Sequence, residues 1–320
     1  MKSWLVSEPG GPLEFHRNLD APRPGPGEVL LDIAACGLNF ADLLMVKGDY
    51  QDTPTPPFAP GMEVCGTVAA LGPGTEGPAP GTRVAVFGGA GGLAEMGCFP
   101  AARCVPVPAA MPSEVAAGFL VAYSTSHVAL AHKARLAPGE RLVVLGAAGG
   151  VGLTAVELGA RMGAEVVAVA RGEAKLEVAQ KAGATHLIDA EAPDLRDRLR
   201  ALGGADVVYD AVGGAAFEAA FRATNPGGRI LVIGFASGEV PQIRANHLMV
   251  KNIDVMGVYW GGYLRFAPQV VADSIAALFR MYAAGEIAPH VSHVLPLERA
   301  DEALDLLRTR RSTGKVVVTT

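Results

Sequence analysis

Residues 141–170, RLVVLGAAGGVGLTAVELGARMGAEVVAVA, limit the possible folds of this chain more than any other stretch. An apolar run of strand length enters Gly146-Ala147-Ala148-Gly149-Gly150-Val151-Gly152, a helix-period stretch follows, and a second apolar run comes on schedule. A strand feeding a helix through glycines is a cradle for pyrophosphate, because free backbone N–H groups meet the anion and no Cβ keeps the main chain away. Gly149 and Gly152 fit the second and third glycine roles of a dinucleotide fingerprint, with Ala147 in the first and Gly150 and Val151 lying between. A tight turn that needs glycine only for packing is the plainer alternative. The second strand ends Val169-Ala170-Arg171-Gly172, without the carboxylate that usually holds a ribose 2′-hydroxyl. Arg171, with Lys175 one helical turn later, suits a 2′-phosphate and therefore predicts NADPH. Glu173 is the rival residue, as a ligand for a ribose hydroxyl, and solvated surface charge is the third reading of all three.

The 320 residues suffice for two domains of about 150 each. Up to residue 117, short β-branched runs alternate with Pro/Gly turns; over 118–256, apolar runs alternate with amphipathic ones. The second pattern predicts a doubly wound parallel sheet, and the first a β-rich domain. The tail from 257, with two helix-like stretches and the final KVVVTT, is short of apolar length for a third core. It is expected to rejoin the first domain, giving an α/β chain divided into 1–117 with 257–320, and 118–256. Phe235 and Ser237 follow the strand RILVIG, at the end of the sheet where open α/β folds place ligands.

Half the residues are hydrophobic and 18% charged, which excludes disorder for most of the chain. A formal charge of −5 gives no attraction to nucleic acid. The start has no signal-peptide pattern, and uncharged stretches such as 142–156 are too short to span a membrane. Cys36, Cys65, Cys98 and Cys104 show no C-x2-C spacing and suit free thiols in a reducing cytosol. A soluble cytoplasmic protein with a small-molecule substrate is expected.

The segments ACGLNFADLLMVKGDY (35–50), PGMEVCGTV (60–68), VAYSTSHVAL (121–130), LGAAGGVG (145–152), ADVVYDAVGG (205–214), GGRILVIGFASG (227–238) and RSTGKVVV (311–318) come in an order that resembles the medium-chain dehydrogenase/reductase superfamily. Within it the chain is similar to the zinc-independent NADPH:quinone oxidoreductases. The resemblance covers nearly the whole sequence. It implies a GroES-like domain and a Rossmann domain, an active site in the cleft between them, and a homodimer joined at RILVIG on the edge of the Rossmann sheet. Where zinc-dependent relatives carry catalytic ligands, this chain has Asn39, Met62 and Val121, and an amide, a thioether and an alkyl group do not make a tetrahedral zinc site. His290 and His293 alone do not replace it. Without a Lewis acid, reduction of a quinone or an α,β-unsaturated carbonyl by hydride transfer is expected over alcohol oxidation. Enoyl-thioester reduction, and NADPH binding without turnover in a structural or regulatory protein, are the alternatives.

The same resemblance implies individual roles. Asn39 belongs near nicotinamide and substrate, with Tyr50 as wall or hydrogen-bond donor, while turn formation and packing are their plainer roles. Asp42 reads as structural. Thr125 corresponds to a residue that steadies the nicotinamide end, or it bonds its own helix. Tyr259 and Trp260 fall where the chain is expected to return, and are read as cleft walls in preference to core. Arg310, by its spacing before Gly314, matches an arginine that reaches the adenine ribose phosphate, or else it is a solvated helix end. His127 and His132 read as helix-face residues and Cys65 as packing.

Overall fold

The alternating apolar runs become six parallel strands in the computed structural model, which describes residues 1–320: Arg141–Leu145, Glu165–Ala170, His186–Asp189, Ala205–Asp210, Thr224–Val232 and Asp254–Gly257. Numbered along this part of the chain, their order across the sheet is 3-2-1-4-5-6, the doubly wound order of dinucleotide-binding folds. Leu142, Val143, Val144 and Leu145 are all fully buried, which explains why these strands read as unbroken apolar runs and not as alternating ones. Phe217, Ala220 and Phe221 of the Gly214–Ala223 helix pack with Val143, Val208 and Ile230 of the sheet.

Residues Met1–Val121 and Pro289–Thr320 form one compact unit and Ala122–Ala288 the other. The chain therefore returns at 289, not at the expected 257. The reason lies in the Pro268–Ala283 helix, whose Val271, Ile275 and Leu278 are buried and whose Ser274 hydroxyl bonds Ser124 within the second unit. Arg161 pairs with Glu286, and Glu157 accepts the Ala288 N–H, so the segment is held there to its end. Trp260 corrects a second expectation: it is 5% exposed and its indole N–H donates to Ser124 Oγ at 2.8 Å, placing it in the core of this unit and not on a cleft wall. A third correction concerns the sheet edge. RILVIG lies in a strand flanked on both sides, and Asp254–Gly257 is the edge beside it.

In the other unit the eleven-residue strand Glu28–Leu38 is the axis of a seven-stranded sheet. Glu63–Leu71 runs antiparallel along one side of it. Its other side is shared, with Met96–Pro100 pairing over Glu28 to Asp32 and Lys315–Thr319 over Ala35 to Leu38. Both termini of the chain thus contribute to one core, in which Val29, Leu31, Ile33, Val64, Val84, Val316 and Val318 are buried. The register opposes Gly37 to Glu63 and Leu38 to Val316. Consequently Glu63 and Lys315, the first residues of their strands, flank the point where the central strand ends and Asn39 begins.

Candidate active site

The glycine turn leaves the first strand of the parallel sheet at Leu145 and becomes the helix Gly150–Arg161, with Gly149 as its N-cap in extended conformation. Two of its glycines have different physical reasons. A Cβ on Gly152 would lie 2.1 Å from the Gly146 carbonyl oxygen, so this residue is glycine because helix and strand backbones touch. A Cβ on Gly149 would meet nothing nearer than that same oxygen at 3.4 Å, an ordinary contact. The protein itself does not need glycine at 149, and the bare helix N-terminus there is free to receive an anion. Ala147 is fully buried, Gly150 and Val151 are half-buried, and the Val151 carbonyl accepts a bond from Ser126 Oγ at 2.9 Å.

The adjacent strand, Ala205–Asp210, ends at the same edge of the sheet. Buried Asp210 accepts the N–H groups of Val212 and Gly213, and Gly213 and Gly214 both take positive φ as the chain turns. Burial pushes the Asp210 carboxyl up and these two N–H donors pull it back. Ala236 and Ser237 donate their backbone N–H groups to Ala211 and Val212, which sets exposed Phe235 and Ser237 against this turn. The sheet order thus brings the glycine turn, the Asp210 turn, Phe235 and Ser237 to one end, at the switch between its halves.

Thr125 is buried in the Leu120–His127 helix. Its neighbours carry the visible bonds: Ser124 joins Trp260 and Ser274, and Ser126 joins Thr154 and Tyr209. Sequence reasoning missed both serines, although a run of three hydroxyl residues in an apolar helix signals buried partners. Arg171 stands exposed just beyond the second strand, 3.7 Å from Glu191, and Lys175 lies in the first turn of the Glu173–Lys181 helix. Arg310, in the other unit, is exposed with φ of +56°, an unusual conformation for a residue other than glycine. Tyr259 is half-buried with Arg265 over its ring at 5.8 Å.

Asn39 caps the Phe40–Lys47 helix, yet its side chain is turned to a buried ion pair. Lys315 Nζ lies 2.6 Å from Glu63 Oε1 and 2.8 Å from Asn39 Oδ1, and Asn39 Nδ2 donates to Glu63 Oε1 at 2.9 Å. Glu63 Oε2 accepts the Val121 N–H at 3.0 Å. The second Nδ2 hydrogen goes to the Gly37 carbonyl at 3.3 Å. Glu63 is 1% and Lys315 6% exposed. Neither was singled out from the sequence; the signal was a charged residue opening an otherwise apolar strand, which requires a buried partner. Asp42 is structural, as read: its carboxyl accepts the N–H groups of Asn39 and Gly61. Burial pushes it up to about 7, against the pull of the Asn39 N–H and the Lys315 charge. Tyr50 packs half-buried beside Met45 and Met62.

A zinc ion does not fit these residues. Met62 turns its thioether into an apolar cluster with Val6, Met45 and Phe58, the Asn39 oxygen is engaged by an ammonium, and Val121 offers no donor. No group of three or more His, Cys, Asp or Glu side chains is arranged to hold a metal ion. His290 bonds Thr313 and His293 bonds Ser292 instead.

Two predictions follow from this geometry. Gly149→Val should keep the parent melting temperature within a few degrees and lose dinucleotide binding in calorimetric titration, whereas Gly152→Ala should unfold at markedly lower temperature, its backbone clash costing about 3 kcal/mol. Equal binding by Gly149→Val and parent would place the phosphate cradle elsewhere. The second concerns pH. Asp42 holds its proton in the folded state up to about 7 but releases it near 3.8 when exposed, so the folded chain binds the extra proton between these values. Stability should therefore fall as pH rises through that window, by at most about 4 kcal/mol, and level off above it. Melting curves between pH 5 and 8 should show the decline in the parent and lose it in Asp42→Asn; an unchanged slope in the variant would assign the effect to another group.

Known proteins resemble this chain along its whole length. The family profile for the alcohol dehydrogenase GroES-like domain matches residues 25–109, and that for zinc-binding dehydrogenase matches residues 150–277. The chain is 36% identical to a quinone oxidoreductase-like protein 2 homolog of Nematostella vectensis, over 99% of its length and 88% of that protein. It is 32% identical to the human synaptic vesicle membrane protein VAT-1 homolog, over 93% of its length and 80% of that protein. Among solved structures, the quinone oxidoreductase of Thermus thermophilus, known also in complex with NADPH, superposes with a TM-score of 0.87 at 36% identity, over the whole of both chains. With a GroES-like domain at one end of its sequence, a 3-2-1-4-5-6 sheet after it and such relatives along its full length, the chain belongs to the quinone oxidoreductase-like branch of the medium-chain dehydrogenase/reductase superfamily.

Proposed function

We propose that the protein is an NADPH-dependent, metal-independent reductase of quinones or α,β-unsaturated carbonyl compounds. The observation that carries the cofactor is the opening at Gly149, a helix N-terminus with room for a phosphate where the fold itself makes no use of glycine. Backbone N–H groups of residues 150–152 hold the pyrophosphate in this reading, with Gly149, whose own N–H goes to the Gly146 carbonyl, leaving it room. Arg171 and Lys175, with Arg310, meet the 2′-phosphate. Thr125, Phe235 and Ser237 line the nicotinamide end, Asn39 meets both nicotinamide and acceptor, and Tyr50 and Tyr259 border the acceptor. The bound nicotinamide supplies the hydride. What the chain contributes is binding, orientation and a polar Asn39 fixed in place.

The choice of acceptor follows from the donor set around Asn39. An alcohol must lose its proton before giving up a hydride, and an amide, a buried thioether and an alkyl group do not stabilise an alkoxide as a metal would. A quinone or enone is electrophilic already and needs only hydride and a proton. The similarity to the VAT-1 homolog keeps one second reading, cofactor binding without turnover. Consumption of NADPH across a panel of quinones and enones separates the two.

We also propose a homodimer, through the exposed edge Asp254–Gly257. The segment leading into it presents Val240, Ile243, Met249 and Val250 at 41 to 74% exposure, an apolar surface that a second copy would cover. No helix is long and apolar enough to cross a membrane, and the four cysteines are free; both fit the cytoplasm as the place of action.

Arg171→Ala should raise the Michaelis constant for NADPH about tenfold, the lower end of what a charged hydrogen bond contributes because the side chain is half-exposed, and leave that for NADH and the maximal rate nearly unchanged. Parallel losses with both cofactors would make Arg171 a surface residue and Glu173 the next to substitute. Activity should persist in strong chelator and elemental analysis should find no stoichiometric zinc. One tight zinc per chain with chelator-sensitive turnover would overturn the metal-free reading.

A further inference from the structure

Asparagine has two ends that are alike in shape and opposite in hydrogen bonding, so an asparagine at a site is defined only when something fixes which end points where. Around Asn39 the fixing groups leave no choice. Lys315 is a donor only and lies 2.8 Å from one end; Glu63 accepts only and lies 2.9 Å from the other. Turning the amide over would set N–H against ammonium and carbonyl against carboxylate. Glu63 has no freedom to adapt, since one oxygen serves Lys315 and Asn39 and the other is held by the Val121 N–H. Lys315 in turn is packed against Gly118, where even an added Cβ would come within 3.0 Å of its stem.

We propose that Glu63 and Lys315 are positioning residues for the reduction, a buried ion pair whose task is to hold the Asn39 amide in a single orientation. Both Nδ2 hydrogens are used within the network, and the carbonyl oxygen keeps one lone pair beyond Lys315. Asn39 therefore meets a ligand as an acceptor, through Oδ1, and its natural counterpart is a hydrogen-bond donor such as the carboxamide N–H or a ribose hydroxyl at the nicotinamide end. This assignment rests on the reductase reading for its consequence, and on geometry alone for the lock.

Two measurements separate these parts. In selectively asparagine-labelled protein, with the Asn39 signal identified by its loss in Asn39→Ala, the side-chain amide protons should exchange with solvent at least tenfold more slowly than those of exposed Asn246. Exchange as fast as that of Asn246 would overturn the lock, whether or not the protein turns over an acceptor. The second measurement is a cycle on NADPH-dependent reduction. Glu63→Gln combined with Lys315→Met removes both charges together, so that neither is left buried alone. This pair variant should lose about as much kcat as Asn39→Ala, tenfold or more, and the triple variant should lose no more than either. A pair variant with parent kcat, or losses that multiply in the triple variant, would overturn the positioning role. If the pair variant fails to fold, the exchange measurement on the parent still decides the lock. Absence of any turnover in the parent would sink the reductase reading and leave the exchange result standing.

Discussion

The buried contact between Lys315 and Glu63 organises the first unit. Residues 252 positions apart in sequence meet at 2.6 Å, at the common end of three neighbouring strands. Desolvating two charges is expensive, and only close geometry with further hydrogen bonds offsets the cost. Here those further bonds come from Asn39 and the Val121 N–H, so the pair is satisfied only when the central strand, its two neighbours and the residues leading out of the unit are all in register. A slip of one residue in either pairing would turn every side chain to the other face and leave a charge stranded. The polar contact therefore specifies the register that the apolar core alone would hold less strictly.

The second unit solves a different problem by simpler means. Its central strands are buried on both faces, and its turns are left to glycine and a capped aspartate. Gly152 serves the close approach of helix and strand, while Gly149 serves nothing within the protein. That contrast is the clearest mark of function in this unit, because an unforced glycine at a helix N-terminus leaves space for a guest. The two units thus differ in kind: one has a bare helix N-terminus, the other a polar side chain held by a buried ion pair.

Much of this was legible in the sequence. Apolar runs alternating with amphipathic ones announce parallel strands and helices, and the glycine turn announces its ligand, because both depend on local pattern. The return of the chain was misplaced by about thirty residues, since the Pro268–Ala283 helix has no local sign of which core it joins; its serine partner lies 150 positions away. Family likeness alone put RILVIG at the sheet edge, and Asp254–Gly257, a short strand with two half-buried residues, gives only a weak local signal against it. Trp260 was assigned by position, and its burial depends on Ser124, which nothing nearby indicates. Asn39 stands out through family likeness, whereas the groups that bond its amide are hidden by distance along the chain.

The closing of the first unit by Lys315 has a consequence for how the protein is made. A ribosome delivers Glu63 long before Lys315, and the intervening Ala122–Ala288 unit emerges with all its own strands and can fold at once. The unit that holds Asn39 must wait with its central strand half-uncovered until the last strand arrives. During synthesis, then, the parallel sheet has all its strands before the buried ion pair can form, and a nascent chain halted short of residue 315 carries Asn39 and Glu63 without the lysine that completes their network.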